Sequence, residues 1–300
     1  MRYHELIESA REARRKGNFR EAIEYYREAF SKKVLVQDLV DYALVHLDNN
    51  QPQQAIEILE DVSEVFPEIP ELHFYLGMAH EQIGQKEEAA RNYLEAVHQD
   101  PSFSDAYFCL ALLADDADDE ELAAEYYKKT LLYDPDHYWA NLNLGSHYER
   151  TDRLELALAY TRKAHEINPD EKMAAYNLGV VYGKMGKFEE AEKYYLEEIR
   201  KGGYALAYLN LALLYKDCFH DYEKAKYIYL EGISKDKDNA TLWYNLACVY
   251  ALLNDFENCY SCLLYALVRD PKLKEFMLLD EELRTFMESP YYEKLKKEIG

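Results

Sequence analysis

Four asparagines stand in nearly identical settings: Asn143-Leu144-Gly145, Asn177-Leu178-Gly179, Asn210-Leu211-Ala212 and Asn245-Leu246-Ala247, spaced by 34, 33 and 35 residues. Four residues after each Leu comes a tyrosine: Tyr148, Tyr182, Tyr215 and Tyr250. A primary amide carries one acceptor and two donors. Its chemistry is hydrogen bonding, and it can pair with the N–H and C=O of an extended peptide without reading side chains. Asparagine has no strong helix preference, because its amide competes with the backbone. Four in one register therefore point to a shared task, either gripping a ligand or tying each helix to the preceding unit.

Other reactive groups form no site. Cys259 and Cys262 make a lone C-x-x-C, with no second ligand pair at zinc spacing. They read as buried small hydrophobes. The run Asp115-Asp116-Ala117-Asp118-Asp119-Glu120-Glu121 lacks the glycine and spacing of a calcium loop, and reads as a solvated turn feeding a helix N-terminus. His46 and His80 occupy the place of the tyrosine and are expected to be packed. No Gly-rich phosphate loop, Ser/His/Asp order or carboxylate pair stands out, so neither catalysis nor a cofactor or metal is expected.

Composition narrows the partners. Across 300 residues the apolar fraction is 49%, enough for an extended core, and the formal net charge is -22. So acidic a chain repels phosphate backbones, which disfavours nucleic acid and anionic membranes. No apolar run reaches the roughly 18–20 residues that span a bilayer, and Met1 to Gly17 is charged throughout. Five irregularly placed cysteines fit a reducing compartment. The expectation is a cytoplasmic protein.

The elements that must position the asparagines repeat with a period near 34. The position after the Leu holds Ala10, Ala43, Gly77, Ala111, Gly145, Gly179, Ala212 and Ala247, all small. Twelve residues on come Ala22, Ala55, Ala89, Ala123, Ala157, Ala191, Ala225 (one residue late) and Cys259, and four later Tyr26, Leu59, Tyr93, Tyr127, Thr161, Tyr195, Tyr229 and Leu263. Both runs have helical spacing. Small residues let two backbones approach, and an aromatic neighbour fills the space beside them. Gly17-Asn18, Gly84-Gln85 and Gly186-Lys187 signal turns. Pro67, Pro101, Pro135, Pro169 and Pro271 end second helices, because the residue before proline is pushed out of the α region. Such a helix pair cannot bury its own apolar face, so neighbours must stack.

This 34-residue pattern resembles the tetratricopeptide repeat over residues 3–273, although the family's tryptophan occurs outright only as Trp243, with Tyr107 and Tyr208 as aromatic stand-ins. The resemblance implies an all-α, right-handed α-α superhelix of eight repeats at 3–35, 36–69, 70–103, 104–137, 138–171, 172–204, 205–239 and 240–273. Residues 274–300 would cap it as two short helices. Repeat 6 is a residue short and repeat 7 a residue long, both expected in turns. In the family, first helices line the concave face. That implies a groove lined by the asparagine row together with Phe74, Phe108, Tyr176 and Tyr244. Its expected occupant is a protein or peptide segment, held along repeats 5–8. A family-type carboxylate clamp is disfavoured, because Glu8, Asp41 and Tyr75 hold the asparagine place in repeats 1–3. Arg11, Arg14 and Arg15 read as solvating an exposed helix or meeting an acidic partner. The function expected is a non-catalytic interaction scaffold, the alternatives being a regulatory subunit of a separate enzyme or a self-associating protein.

Overall fold

A residue with left-handed backbone recurs at a nearly fixed interval: Gly17 (φ 75°), Asn50 (55°), Gly84 (76°), Asp118 (57°), Asp152 (57°), Gly186 (71°), His220 (54°) and Asn254 (60°), in a computed structural model that describes residues 1–203 and 205–299. These residues recur every 33 or 34 positions. Asn, Asp and His tolerate this region better than other non-glycine residues. Three of the eight carry the obvious glycine signal; the rest are the same turn in less distinctive dress. Tyr204 and Gly300, the expected last residues of repeat 6 and of the cap, lie outside the described residues.

The chain forms two compact units, Met1–Leu144 and Gly145–Gly300. No strand occurs among the described residues. The first unit holds α1 (Tyr3–Arg15), α2 (Phe19–Phe30), α3 (Val36–Asp48), α4 (Pro52–Val65), α5 (Pro70–Gln82), α6 (Lys86–Gln99), α7 (Ser104–Asp116) and α8 (Glu120–Tyr133); the boundary falls within α9 (Tyr138–Arg150). The repeated alanines explain the pairing. Ala10, Ala22, Ala43, Ala55, Ala89 and Ala111 are all fully buried. At Gly77 even a Cβ would stand 2.5 Å from Cε1 of the buried Tyr93 ring, so the ring lies directly on the glycine.

Of the N-terminal arginines, Arg15 is solvated beside Glu12 of its own helix, as expected, but Arg11 and Arg14 are not. Arg11 donates from Nε and Nη2 to Asp41 (2.9 and 2.7 Å) and from Nη2 to Asp38 (3.2 Å), and Tyr3 also hydrogen-bonds Asp38. Arg14 pairs with Asp48 at 2.6 Å. They stitch α1 to α3 because acids on the next first helix meet them. Asp38 is buried, so Arg11→Ala should cost about 1–3 kcal/mol by leaving it short of partners. Chemical denaturation checks this; an unchanged midpoint would show the seam to be dispensable.

The second unit continues with α10 (Leu154–Ile167), α11 (Ala174–Lys184), α12 (Phe188–Arg200), α13 (Ala205–Leu213), α14 (Tyr222–Lys235), α15 (Ala240–Leu252) and α16 (Phe256–Arg269). The extra residue of the seventh repeat is not in a turn, contrary to expectation. It is wound into a π-helical turn at Leu214–Cys218, where Phe219 N–H donates to Leu214 C=O (3.1 Å). Widening the helix keeps both Tyr215 and the following turn in place.

The C-terminal segment has more pieces than the two expected helices: α17 (Leu273–Leu279), a 3₁₀ turn at Glu281–Leu283, α18 (Arg284–Met287) and α19 (Pro290–Ile299). Leu283, Phe286 and Leu295 are fully buried against the last repeat. Lys216, buried in the π turn, pairs with Glu282, and with Asp217 at 2.9 Å. Tyr244 Oη (2.8 Å) and Cys248 Sγ (3.5 Å) both donate to Asp280.

One buried carboxyl, Glu198, lies near the start of α11 with neither oxygen hydrogen-bonded among the described residues. Burial pushes Glu198 above its ordinary value of 4.5, against the pull of the Met173 and Tyr176 backbone amides. A carboxyl raised in the folded state holds its proton more tightly there than in the unfolded chain. Its contribution to stability therefore grows as pH falls through the raised value and is complete below the unfolded one. Glu198→Gln should flatten that rise. Denaturation midpoints at pH 7 and pH 5 measure it, and equal slopes for the two proteins would contradict the assignment.

Candidate functional site

The four asparagines are all half-buried on first helices. In the second unit, α11 presents Asn177, whose Nδ2 donates to Ser146 Oγ of α9 (3.0 Å). On α13, Asn210 Nδ2 donates to the Tyr176 hydroxyl of α11 (3.2 Å). Asn245 Nδ2 donates to the Thr241 carbonyl of its own helix (2.9 Å). In the first unit Asn143 Nδ2 donates to the Tyr127 hydroxyl of α8 (2.9 Å), which itself donates to Asp115 Oδ2 (2.5 Å). That second bond uses the phenol hydrogen, so Asn143 must offer an N–H there. Three of the four thus link neighbouring repeats. Yet each spends only one N–H, and among the described residues no hydrogen bond reaches any of the four Oδ1 atoms.

The aromatic residues of the proposed groove differ in their fates. Phe74 is half-buried against Phe103 (ring centroids 5.0 Å) and Tyr93 (5.8 Å). Phe108 meets His137 (4.4 Å) and Tyr127 (5.9 Å). Tyr176 leans on Tyr195 (6.1 Å) and remains half-buried. Tyr244 is buried, and its hydroxyl is committed to the capping segment. Burial first, and then Asp280, push that hydroxyl well above the usual tyrosine range.

Two hollows adjoin the asparagines of the second unit. The smaller, about 110 Å³, is lined by Gly145, Thr161, Tyr176, Asn177, Val180 and Val181, with Ser146 and Glu149 completing it. Glu149 is paired with Lys184 at 2.5 Å. The other is an open apolar cleft of about 440 Å³ beside Tyr244 and Asn245, walled by Leu273, Phe276 and Leu279 of the cap. The cap wall could not be found from sequence, because α17 has no counterpart in the repeat pattern.

Cys248, Asp280 and Glu282 lie close enough to hold a metal. Their donor set argues otherwise. Cys248 donates its thiol hydrogen to Asp280, and the Lys216 ammonium already occupies Glu282, so all three donors have partners within the protein. Cys259 and Cys262 are buried, their thiols pushed up by burial, the latter to about 12. Neither has the accessible thiolate that metal binding or redox chemistry needs.

Family models described as tetratricopeptide repeat match residues 41–104, 82–131, 136–201, 6–31 and 240–272. The chain belongs to the tetratricopeptide repeat family. Solved structures share the fold. PilF of Pseudomonas aeruginosa is 24% identical, with a TM-score of 0.59 over 70% of this chain and 97% of its own. A tetratricopeptide repeat protein from Parabacteroides merdae is 18% identical, with a TM-score of 0.57 over 84% and 98%. YrrB, described as a TPR protein with an unusual peptide-binding site, is 20% identical, with a TM-score of 0.55 over 61% and 94%. No curated protein matches the sequence significantly. No helix of this tetratricopeptide chain is long and apolar enough to cross a membrane, among the described residues.

Proposed function

We propose that the chain is a non-catalytic scaffold that binds an extended peptide segment of a partner protein along its first helices. Asn143, Asn177, Asn210 and Asn245 hold the peptide backbone, while Tyr176, Tyr244, Phe74 and Phe108 contribute apolar contacts. One observation carries the reading: every one of these amides keeps its Oδ1 without an internal donor while an N–H anchors it. A half-buried acceptor held rigidly in this way is suited to a peptide N–H. The fold it shares with YrrB, a protein described as having a peptide-binding site, supports a peptide as the ligand class. The net charge of -22 favours a protein partner over nucleic acid or an anionic membrane. We read the sixteen helices α1–α16 as eight repeats within 3–273 and 274–300 as their cap. Five free cysteines suit a reducing, cytoplasmic setting.

The test is selection of a displayed random-peptide library on the immobilised full chain. It should enrich peptides that compete with one another for one site; recovery of no binder would end the proposal. Self-association is a second reading, favoured by the exposed Phe276 and Leu279 around the cap cleft. Light scattering over a concentration series decides it, since a constant monomer mass removes it.

A further inference from the structure

The asparagine row ends at an apolar cleft. Asn245, its last member, lines that cleft beside Tyr244 on α15. Its Nδ2 bond is spent within α15, on the Thr241 carbonyl. Leu279 stands 34 residues further on, at the interval of the row, and lines the opposite wall. α17 carries none of the small residues of a repeat, and a leucine takes the place of the next amide. Leu279 is 84% exposed and Phe276 64%. Leu278 beside them is exposed too, and on this seven-residue helix only Met277 is buried. Single exposed apolar residues are ordinary, but a contiguous group of them marks a surface that meets something.

Charge narrows the occupant. Asp280 is the one charged side chain lining the cleft among the described residues. It accepts from the Tyr244 hydroxyl (2.8 Å), the Cys248 thiol (3.5 Å) and the Glu282 amide (3.0 Å), all neutral donors. Among the described residues it makes no ion pair, since the nearby Lys216 ammonium pairs with Glu282 and Asp217. We infer that the cleft seats one end of the bound peptide: a large apolar side chain packs among Leu273, Phe276 and Leu279, and a lysine or arginine next to it in the peptide faces Asp280. The inference rests on the peptide-binding reading above and adds selectivity to it. Amides that pair with a peptide backbone accept any sequence, whereas a side-chain pocket discriminates. A volume of about 440 Å³ lies within the range of ligand clefts. Being open, the cleft admits a side chain still attached to its backbone. A second copy of this chain fits less well, because it brings another net charge of -22 to a cleft whose own charge is negative.

The probes are peptides selected on the parent chain from a displayed random library. They should share a large apolar residue adjacent to lysine or arginine. Phe276→Ala/Leu279→Ala removes two exposed side chains and should leave the denaturation midpoint where it is. By fluorescence anisotropy the selected peptides should bind this double variant at least about tenfold more weakly. Exchanging the peptide's basic residue for glutamate should also weaken binding to the parent at least about tenfold at low salt, and by less at high salt. In the methyl-labelled full chain the peptide should shift the Leu273 and Leu279 methyls saturably. Selected peptides that bind the double variant as tightly as the parent, or leave those methyls unmoved, overturn the cleft while leaving the asparagine scaffold in place. Peptides that tolerate the glutamate overturn the stated partner chemistry. A parent that is dimeric by light scattering, with a monomeric double variant, overturns the inference as well, since a second copy then fills the cleft. Recovery of no peptide overturns the scaffold reading and the inference together.

Discussion

Replacing Tyr195 by threonine should lower the unfolding free energy by about 3 kcal/mol, because it deletes a ring that fills a closed space. Tyr195 is buried, rests on Gly179 and touches Tyr176. The glycine cannot follow the lost ring inward, so the lining loses its contacts outright. Chemical denaturation monitored by helical circular dichroism reads the effect. A loss below about 1 kcal/mol would mean that α11 and α12 close up around the gap. Repeat proteins can unfold piecewise, so the transition is best followed by probes in both units.

Removing the Lys216 ammonium should have a comparable effect at the other end of the second unit. Its side chain is 7% exposed and lies between Glu282 and Asp217. Lys216→Met keeps the aliphatic stem but leaves Glu282 beside Asp280 with no cation to offset them. Breaking a buried pair from one side typically costs about 3 kcal/mol. The cap should then release first, seen as protease cleavage within residues 273–299 at denaturant concentrations that leave the parent intact. Lys216→Met combined with Glu282→Gln should recover part of the loss, since the uncompensated charge is then gone. An unaltered cleavage pattern in the single variant would show that Leu283, Phe286 and Leu295 hold the cap without help from the ion pair.

The repeat architecture was legible because it is written in local, periodic chemistry. Alanine or glycine at one helix contact and tyrosine opposite it recur whatever the surroundings, and the buried series from Ala22 to Ala225 follows that pattern. Turns were legible where glycine marked them and at the acidic run 115–121, which does form the turn ahead of α8. Asn50, Asp118, Asp152, His220 and Asn254 adopt the same left-handed backbone, but those residue types are at home in many other settings. The π turn was not legible, because an inserted residue looks the same in sequence whether a loop or a helix absorbs it. Contacts distant in sequence were also out of reach: nothing local ties Lys216 to Glu282, or Arg11 to Asp38 and Asp41. The asparagine row was visible as a pattern, but the partners of its amides were not. Whether an amide ties helices or faces a ligand depends on which of its atoms the neighbouring repeat uses, and in three of the four the neighbour takes one N–H. Thr161 is one member of a mostly tyrosine series, and that it packs directly on Gly145 follows only from the structure.

The central claim is that the asparagines hold a peptide backbone. The most direct measurement is the affinity of a library-selected, fluorescently labelled peptide for the parent chain and for Asn177→Ala/Asn210→Ala, by anisotropy, beside the denaturation midpoint of each. Because these two amides also link α9, α11 and α13, the double variant should lose about 1–2 kcal/mol of stability. It should remain folded and bind the peptide at least about tenfold more weakly. Unchanged affinity, with a stability loss of several kcal/mol, would show that the asparagines serve only to tie the repeats together.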